Sequence, residues 1–153
     1  MRKVLRFLPL ALLVAFLLML PSIHRMAVQT DSFNYMSIAE NVARGHGWIN
    51  QTGKVELDHP FGYSLAMAPW VRLGLSARGA AFIVNWLSVA VVGLMAWVLL
   101  QELSGKTGWQ VAVGAVLVMA APPLMQFANQ ILTESMDAAL ALTFLWLCGK
   151  ASA

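Results

Sequence analysis

From Phe7 to Ile23 the chain runs apolar without a charge, and after a long mixed segment three further apolar runs follow, Ala80 to Leu100, Trp109 to Met125 and Asn129 to Cys148. A hydrocarbon core of about 30 Å is crossed by about 20 helical residues at about 1.5 Å each. The pattern therefore predicts four transmembrane helices, at about 4–23, 80–100, 109–125 and 129–148. The expected fold is all-α, a polytopic membrane helix bundle in one membrane domain over 1–153. The first run has the basic start of a secretory signal, but its 17 residues exceed the usual about 7 to 15 and no small-residue cleavage site follows, so it reads as an uncleaved signal anchor.

The mixed segment, about 24–79, has its own periodicity. Asp31 is placed to N-cap a helix whose apolar positions Tyr35, Ile38, Ala39 and Val42 recur at helical spacing, with Gly45 or Gly47 to end it. That helix is one-sided and is expected on the membrane surface. A second stretch, "HPFGYSLAMAPWVRLG" from His59 to Gly74, is interrupted by Pro60, Gly62 and Pro69 and is expected in the interface, with Tyr63 and Trp70 as anchors.

Composition changes the picture in one direction. The chain is 59% hydrophobic and 11% charged, with mean hydropathy +0.70, more apolar than a soluble domain of this size can bury. A net charge of +3 without a dense basic cluster gives no nucleic-acid footprint and leaves membrane lipids as partners. Basic residues divide evenly between the two faces, but the density of Arg2, Lys3 and Arg6 puts the N-terminus in the cytoplasm. Four crossings return the C-terminus there and make 24–79 a long extracytoplasmic loop. Cys148, within an apolar run, is expected to pack.

Chemistry concentrates at the outer face. The last apolar run is polar at one end only, with Gln130, Thr133, Glu134, Ser135 and Asp137. Glu134 and Asp137 share a helix face and are expected to turn toward a watery, protein-lined cavity. The alternative is a helix that begins late, with Thr133 or Ser135 as its cap and Glu134 in its first turn. Asp31 is the second acid, just past the first span. His59 in "ELDHPFGY" suits a phosphate when protonated or a metal when neutral, or marks only a turn; Asp58 beside it carries less. "SGKTG" at 104–108 lacks the glycine that a phosphate-binding loop needs where Leu100 stands, and reads as a cytoplasmic turn. "NQT" at 50–52 fits an N-glycosylation acceptor.

Together these residues resemble the GT-C class of polytopic membrane glycosyltransferases, the superfamily of protein O-mannosyltransferases and lipid A aminoarabinose transferases. The resemblance rests on the basic-flanked first span, the D-x3-Y-x3-A spacing of Asp31, Tyr35 and Ala39, the glycines Gly45 and Gly47, "HPFGY" at 59–63, the pair Pro122 and Pro123, and "TES" at 133–135. It covers nearly the whole chain. The histidine segment lacks the second proline of the mannosyltransferase version, and family members run to several hundred residues. The chain is thus expected to be the N-terminal part of such a module, inactive in isolation and prone to associate through its acidic face with a second copy or with the remainder of the bundle.

The resemblance implies transfer of a sugar from a polyprenyl-phosphate carrier to an acceptor, in the bacterial inner (plasma) membrane. It implies Asp31 and Glu134 as catalytic acids, either of them a ligand of a divalent metal cation. Tyr35, Arg44, Lys54, His59 and Asp137 are the substrate-binding candidates. Two other readings stand beside it: a non-catalytic membrane subunit or scaffold, and a transporter fragment whose intramembrane carboxylates carry protons or ions.

Overall fold

The computed structural model describes residues 2–22, 26–56, 58–106 and 108–151, with backbone alone for 2–6. Among these residues the chain forms α1 (Arg2–Met19) with a 3-10 turn at Leu20–Ser22, then α2 (Thr30–Ala43), α3 (Phe61–Arg72), α4 (Ala77–Ser104), α5 (Trp109–Met119), α6 (Pro122–Ala128) and α7 (Glu134–Ala151). No strand occurs among them. Isolated backbone bridges pair Ala27 with Gln130 and Ile49 with Val55.

α4 is the axis of the molecule, because α1, α3, α5 and α7 all pack on it and α2 reaches it beside α3. Its ends are well specified. Ser76 Oγ accepts the Gly79 N–H at 3.1 Å, and Gly105 closes the helix at φ 64, a left-handed position that a side chain would resist. α1 runs antiparallel to it: Phe7 stacks on Trp97 with ring centroids 5.0 Å apart, Phe16 meets Trp86 edge-on, and the Trp86 indole N–H donates to the Leu12 carbonyl at 2.9 Å. Opposite, Gly93 of α4 lets Met119 of α5 lie against its backbone.

α4, with 28 residues, is the helix among those described that is long and apolar enough to cross a membrane; the bent pair α5 and α6 would make a second span if taken as one. The expectation of four full spans is thus not what the helices display by length and composition. The 109–125 run is broken because Pro122 and Pro123 lack the N–H that would continue α5, and Pro122 holds Ala121 extended at ψ 129; the two pieces meet at 54°. The 129–148 run is helical only from Glu134, because the backbone of 129–131 bonds to Ala27 and to Asn85 instead. The late start weighed for this helix is the one observed. In the first run the described apolar helix covers Phe7–Ser22, while Ile23 and the following His24 lie outside the described residues.

Three smaller expectations are also corrected. Gln29 rather than Asp31 occupies the cap position of α2, which puts Asp31 in the first turn. Tyr63 is no interface anchor: it is fully buried, while Trp70, two turns along α3, is half-buried. Cys148 is exposed rather than buried in the packing of α7.

Candidate functional site

The site begins with a backbone splice. The Ala27 N–H donates to the Asn129 carbonyl at 2.9 Å and the Ile131 N–H donates to the Ala27 carbonyl at 3.3 Å, so the segment entering α2 lies parallel to the one entering α7. Side chains reinforce it. Gln29 Nε2 donates to Gln130 Oε1 at 3.0 Å, Ser32 Oγ donates to the Ile131 carbonyl at 2.9 Å, and Ser22 bonds to Asn129. The first turns of α2 and α7, which carry Asp31 and Glu134, are thereby held as neighbours.

Beneath the splice sits Asn85, a fully buried amide in the first third of α4. Its oxygen accepts from the Tyr63 hydroxyl at 2.9 Å and from Ser135 Oγ at 3.1 Å. Its nitrogen donates to the carbonyls of Ala128 at 3.0 Å and Gln130 at 2.7 Å. Both lone pairs and both protons of the amide are used, which is the condition for burying it without penalty.

The acids differ in their surroundings. The Asp31 side chain is 59% exposed, while one carboxylate oxygen of Glu134 is buried and meets no donor. Asp137, three residues along α7, is exposed. Tyr35 lies among them. Burial first, and then the charges of Asp31, Glu134 and Asp137, push its hydroxyl above the ordinary range, against a hydrogen bond with Thr133. Tyr35 meets Tyr63 and His59 edge-on, at 5.5 and 5.4 Å between ring centroids.

His59 stands between two carboxylates. Nε2 is 3.5 Å from Asp31 Oδ1 and Nδ1 is 3.2 Å from Glu56 Oε1, the latter short in distance but not aligned as a hydrogen bond. Glu56 is itself buried, receiving the Asn50 amide at 3.0 Å and the Asp58 backbone N–H at 2.9 Å. The Asn50 amide, followed by His59 and the Asp58 N–H, holds the Glu56 carboxyl down at about 2, and Glu56 with Asp31 raises the His59 imidazole above its usual value. His59 is thus set between the buried Glu56 carboxylate and Asp31, both of which favour its protonated form.

Two of the substrate-binding candidates fall outside this cluster. Arg44 follows the last turn of α2, about 20 Å from Asp31 at about 1.5 Å per residue, and pairs with Glu40 at 3.6 Å. Lys54 is exposed in the turn after Asn50, held there by its backbone N–H on Asn50 Oδ1 at 3.1 Å. The same turn bears on "NQT": the Asn50 side chain is committed to Glu56, Thr52 and Lys54.

Sequence reading missed Glu56 and Asn85. Glu56 lies three residues before His59, and Asn85 interrupts an otherwise apolar run, which are the two signals that mark them.

A divalent cation is the cofactor that the resemblance implies. Among the described residues no three ligating side chains gather. Two carboxylates at adjacent helix starts, one with an oxygen that meets no donor, fit a hard cation that keeps much of its shell as water or phosphate oxygen. No family model, curated protein or solved structure matches the chain.

Proposed function

We propose that this chain forms the outer-face acid site of a GT-C class membrane glycosyltransferase, which moves a sugar from a polyprenyl-phosphate carrier to an acceptor in the extracytoplasmic half of the membrane. The observation that carries the reading is the splice that makes neighbours of Asp31 and Glu134, with Tyr35 and His59 between α2 and the loop before α3. On that reading the chain is a multi-pass bundle of the bacterial inner membrane with both termini cytoplasmic. Leu10, Leu13 and Leu17 on α1 and Leu140, Phe144 and Leu147 on α7 are exposed, a surface suited to lipid rather than water.

In this reading Asp31 takes the proton of the acceptor hydroxyl. That oxygen bonds to the anomeric carbon as the bond from that carbon to the carrier phosphate breaks, and the carrier leaves as polyprenyl phosphate. His59, clamped by Glu56, holds the Asp31 carboxylate in position. Asp31 and Glu134 are the side chains that would hold a divalent cation, which supplies positive charge to the leaving phosphate. The test is transfer from a labelled polyprenyl-phosphate sugar in native membranes. Asp31→Asn is expected to lower the rate at least about 100-fold, and an unchanged rate would remove Asp31 as the base.

One observation favours a second reading, transport. The broken pair α5 and α6 leads into the acid site, since Ala128 at the end of α6 and Gln130 just past it bond to Asn85 beside Ser135, and broken helices near carboxylates are what ion-coupled carriers use. Uptake of a labelled solute by proteoliposomes driven by a proton gradient, lost in Glu134→Gln, would favour that reading over transfer.

A further inference from the structure

Arg44, removed from the acid site, lines a cavity of its own. It occupies about 560 Å3 beside the α3–α4 turn, with Arg44, Arg72, Glu40, Ser76 and Ala77 among its walls. A second cavity of about 270 Å3 abuts it and is walled by Val42, Leu65, Ala68 and Pro69. Ala43 and Arg72 line both, so a cationic space and an apolar one adjoin in a two-part hollow at the surface.

We propose that this hollow binds an anionic phospholipid of the outer leaflet, with its phosphate on Arg44 and Arg72 and an acyl chain along Val42, Leu65 and Pro69. Depth and charge both point to that occupant. α4 is the helix able to span, and it starts at Ala77, which puts the cavity lined by Ser76 and Ala77 at headgroup level. α3 packs along α4 from the same turn, and Leu65 lies about 10 Å from Arg72 along it at about 1.5 Å per residue. The apolar end thus lies within acyl-chain reach of the two arginines. Phe61, Leu65, Pro69 and Leu73 make an exposed apolar stripe at four-residue spacing on that side of α3.

The cationic end has charge to spare. Arg72 forms no ion pair among the described residues, and the Arg44–Glu40 pair is a solvated contact at 3.6 Å between side chains 64% and 42% exposed, weak enough for a phosphate to replace. Arginine suits the task because its planar donors match phosphate oxygens in pairs. The inference goes beyond the transfer reading and does not depend on it.

The test is native mass spectrometry of the full chain released from nanodiscs of dioleoyl-phosphatidylcholine doped with dioleoyl-phosphatidylglycerol, with millimolar inorganic phosphate in a parallel arm. The wild type is expected to retain phosphatidylglycerol over phosphatidylcholine. Arg44→Gln with Arg72→Gln should cut that retention about 10- to 30-fold, the loss expected of two basic groups at an anionic surface. Arg44→Lys with Arg72→Lys, which keeps the charge, should retain most of it, and unchanged melting temperatures would show all three proteins folded. Equal retention of the two lipids by the wild type, or retention undiminished in the glutamine pair, would overturn the proposal. Displacement of the lipid by inorganic phosphate would overturn it in favour of a free-anion site.

Discussion

Asn85 carries more of the architecture than any ionised residue. Its four hydrogen bonds tie α3, the α6–α7 connection and α7 to the central helix. Asn85→Ala strips all four and leaves two carbonyls and two hydroxyls buried without it. At about 1–3 kcal/mol for an orphaned buried group, partly relieved by relaxation, the expected loss is about 2–4 kcal/mol, read as a fall in the thermal midpoint of the detergent-solubilised protein. A midpoint within a degree of wild type would mean the hub is dispensable. The His59 clamp makes a pH prediction. Folding raises the imidazole above its reference value of 6.5, so the stability it adds is complete below that value and is lost as pH rises through the folded one. Folding depresses Glu56 from 4.5 to about 2, so its share is complete above 4.5 and is lost only as pH falls toward 2. Hydrogen exchange at the Asp58 amide, corrected for intrinsic rate, should show greatest protection between about pH 4.5 and 6.5 and fall on the alkaline side. Flat protection from pH 6 to pH 9 would contradict the clamp. His59 was legible in the sequence as chemistry, but Glu56 was not, because a charged residue in a polar loop looks solvated until Asn50, six residues back, is seen to turn onto it.

Helix existence was legible, and helix boundaries were not where tertiary bonds compete. The glycine that ends α2 stands where the pattern put it, with φ 79 at Gly45, whereas Pro60, read as an interruption, caps the start of α3, and Pro69 lies within that helix. The pair Pro122 and Pro123 was noticed as a family mark, but its local meaning, a 54° break, outweighs an apolar composition that otherwise reads as one span. Residues 129–133 look helical by sequence neighbourhood, yet Asn129 and Gln130 give their carbonyls to Ala27 and Asn85, partners 102 and 45 positions away. No local pattern reports such a bond. Close packing between α4 and α5 makes its own prediction. A Cβ on Gly93 would stand 2.7 Å from Met119 Cγ and closer still to its sulfur, and Met119 is fully buried. Overpacking costs about 1–3 kcal/mol, against about 0.5–1 kcal/mol gained by replacing a helical glycine with alanine. Gly93→Ala is therefore expected to lower the thermal midpoint, and the double variant Gly93→Ala with Met119→Ala to recover part of the loss. A midpoint raised by Gly93→Ala alone would show that the α4–α5 contact is loose.

At the scale of the whole molecule, an apolar shell of helices surrounds α4, and the polar side chains collect at one end of it. That end holds the splice between 27 and 130, the Asn85 network, Tyr35 and the acids. The opposite end is plainer: Lys150 pairs with Glu102 at 2.8 Å and Trp146 donates to the same carboxylate, a staple between α4 and α7. The polarity of the bundle, one chemically equipped end and one stapled end, was legible from the asymmetry of the last apolar run. The neighbourhood of Asp31 and Glu134 was not legible by spacing, since it depends on a backbone pairing across 103 positions. The central claim is that these two acids act as one site in sugar transfer. The most direct measurement is a double-mutant cycle on the transfer rate in native membranes, with Asp31→Asn, Glu134→Gln and both together. If the acids serve one step, each single change should cost at least about 10-fold, and the double variant should be little slower than the slower single. Losses that multiply, or a Glu134→Gln variant as fast as wild type, would contradict a shared site.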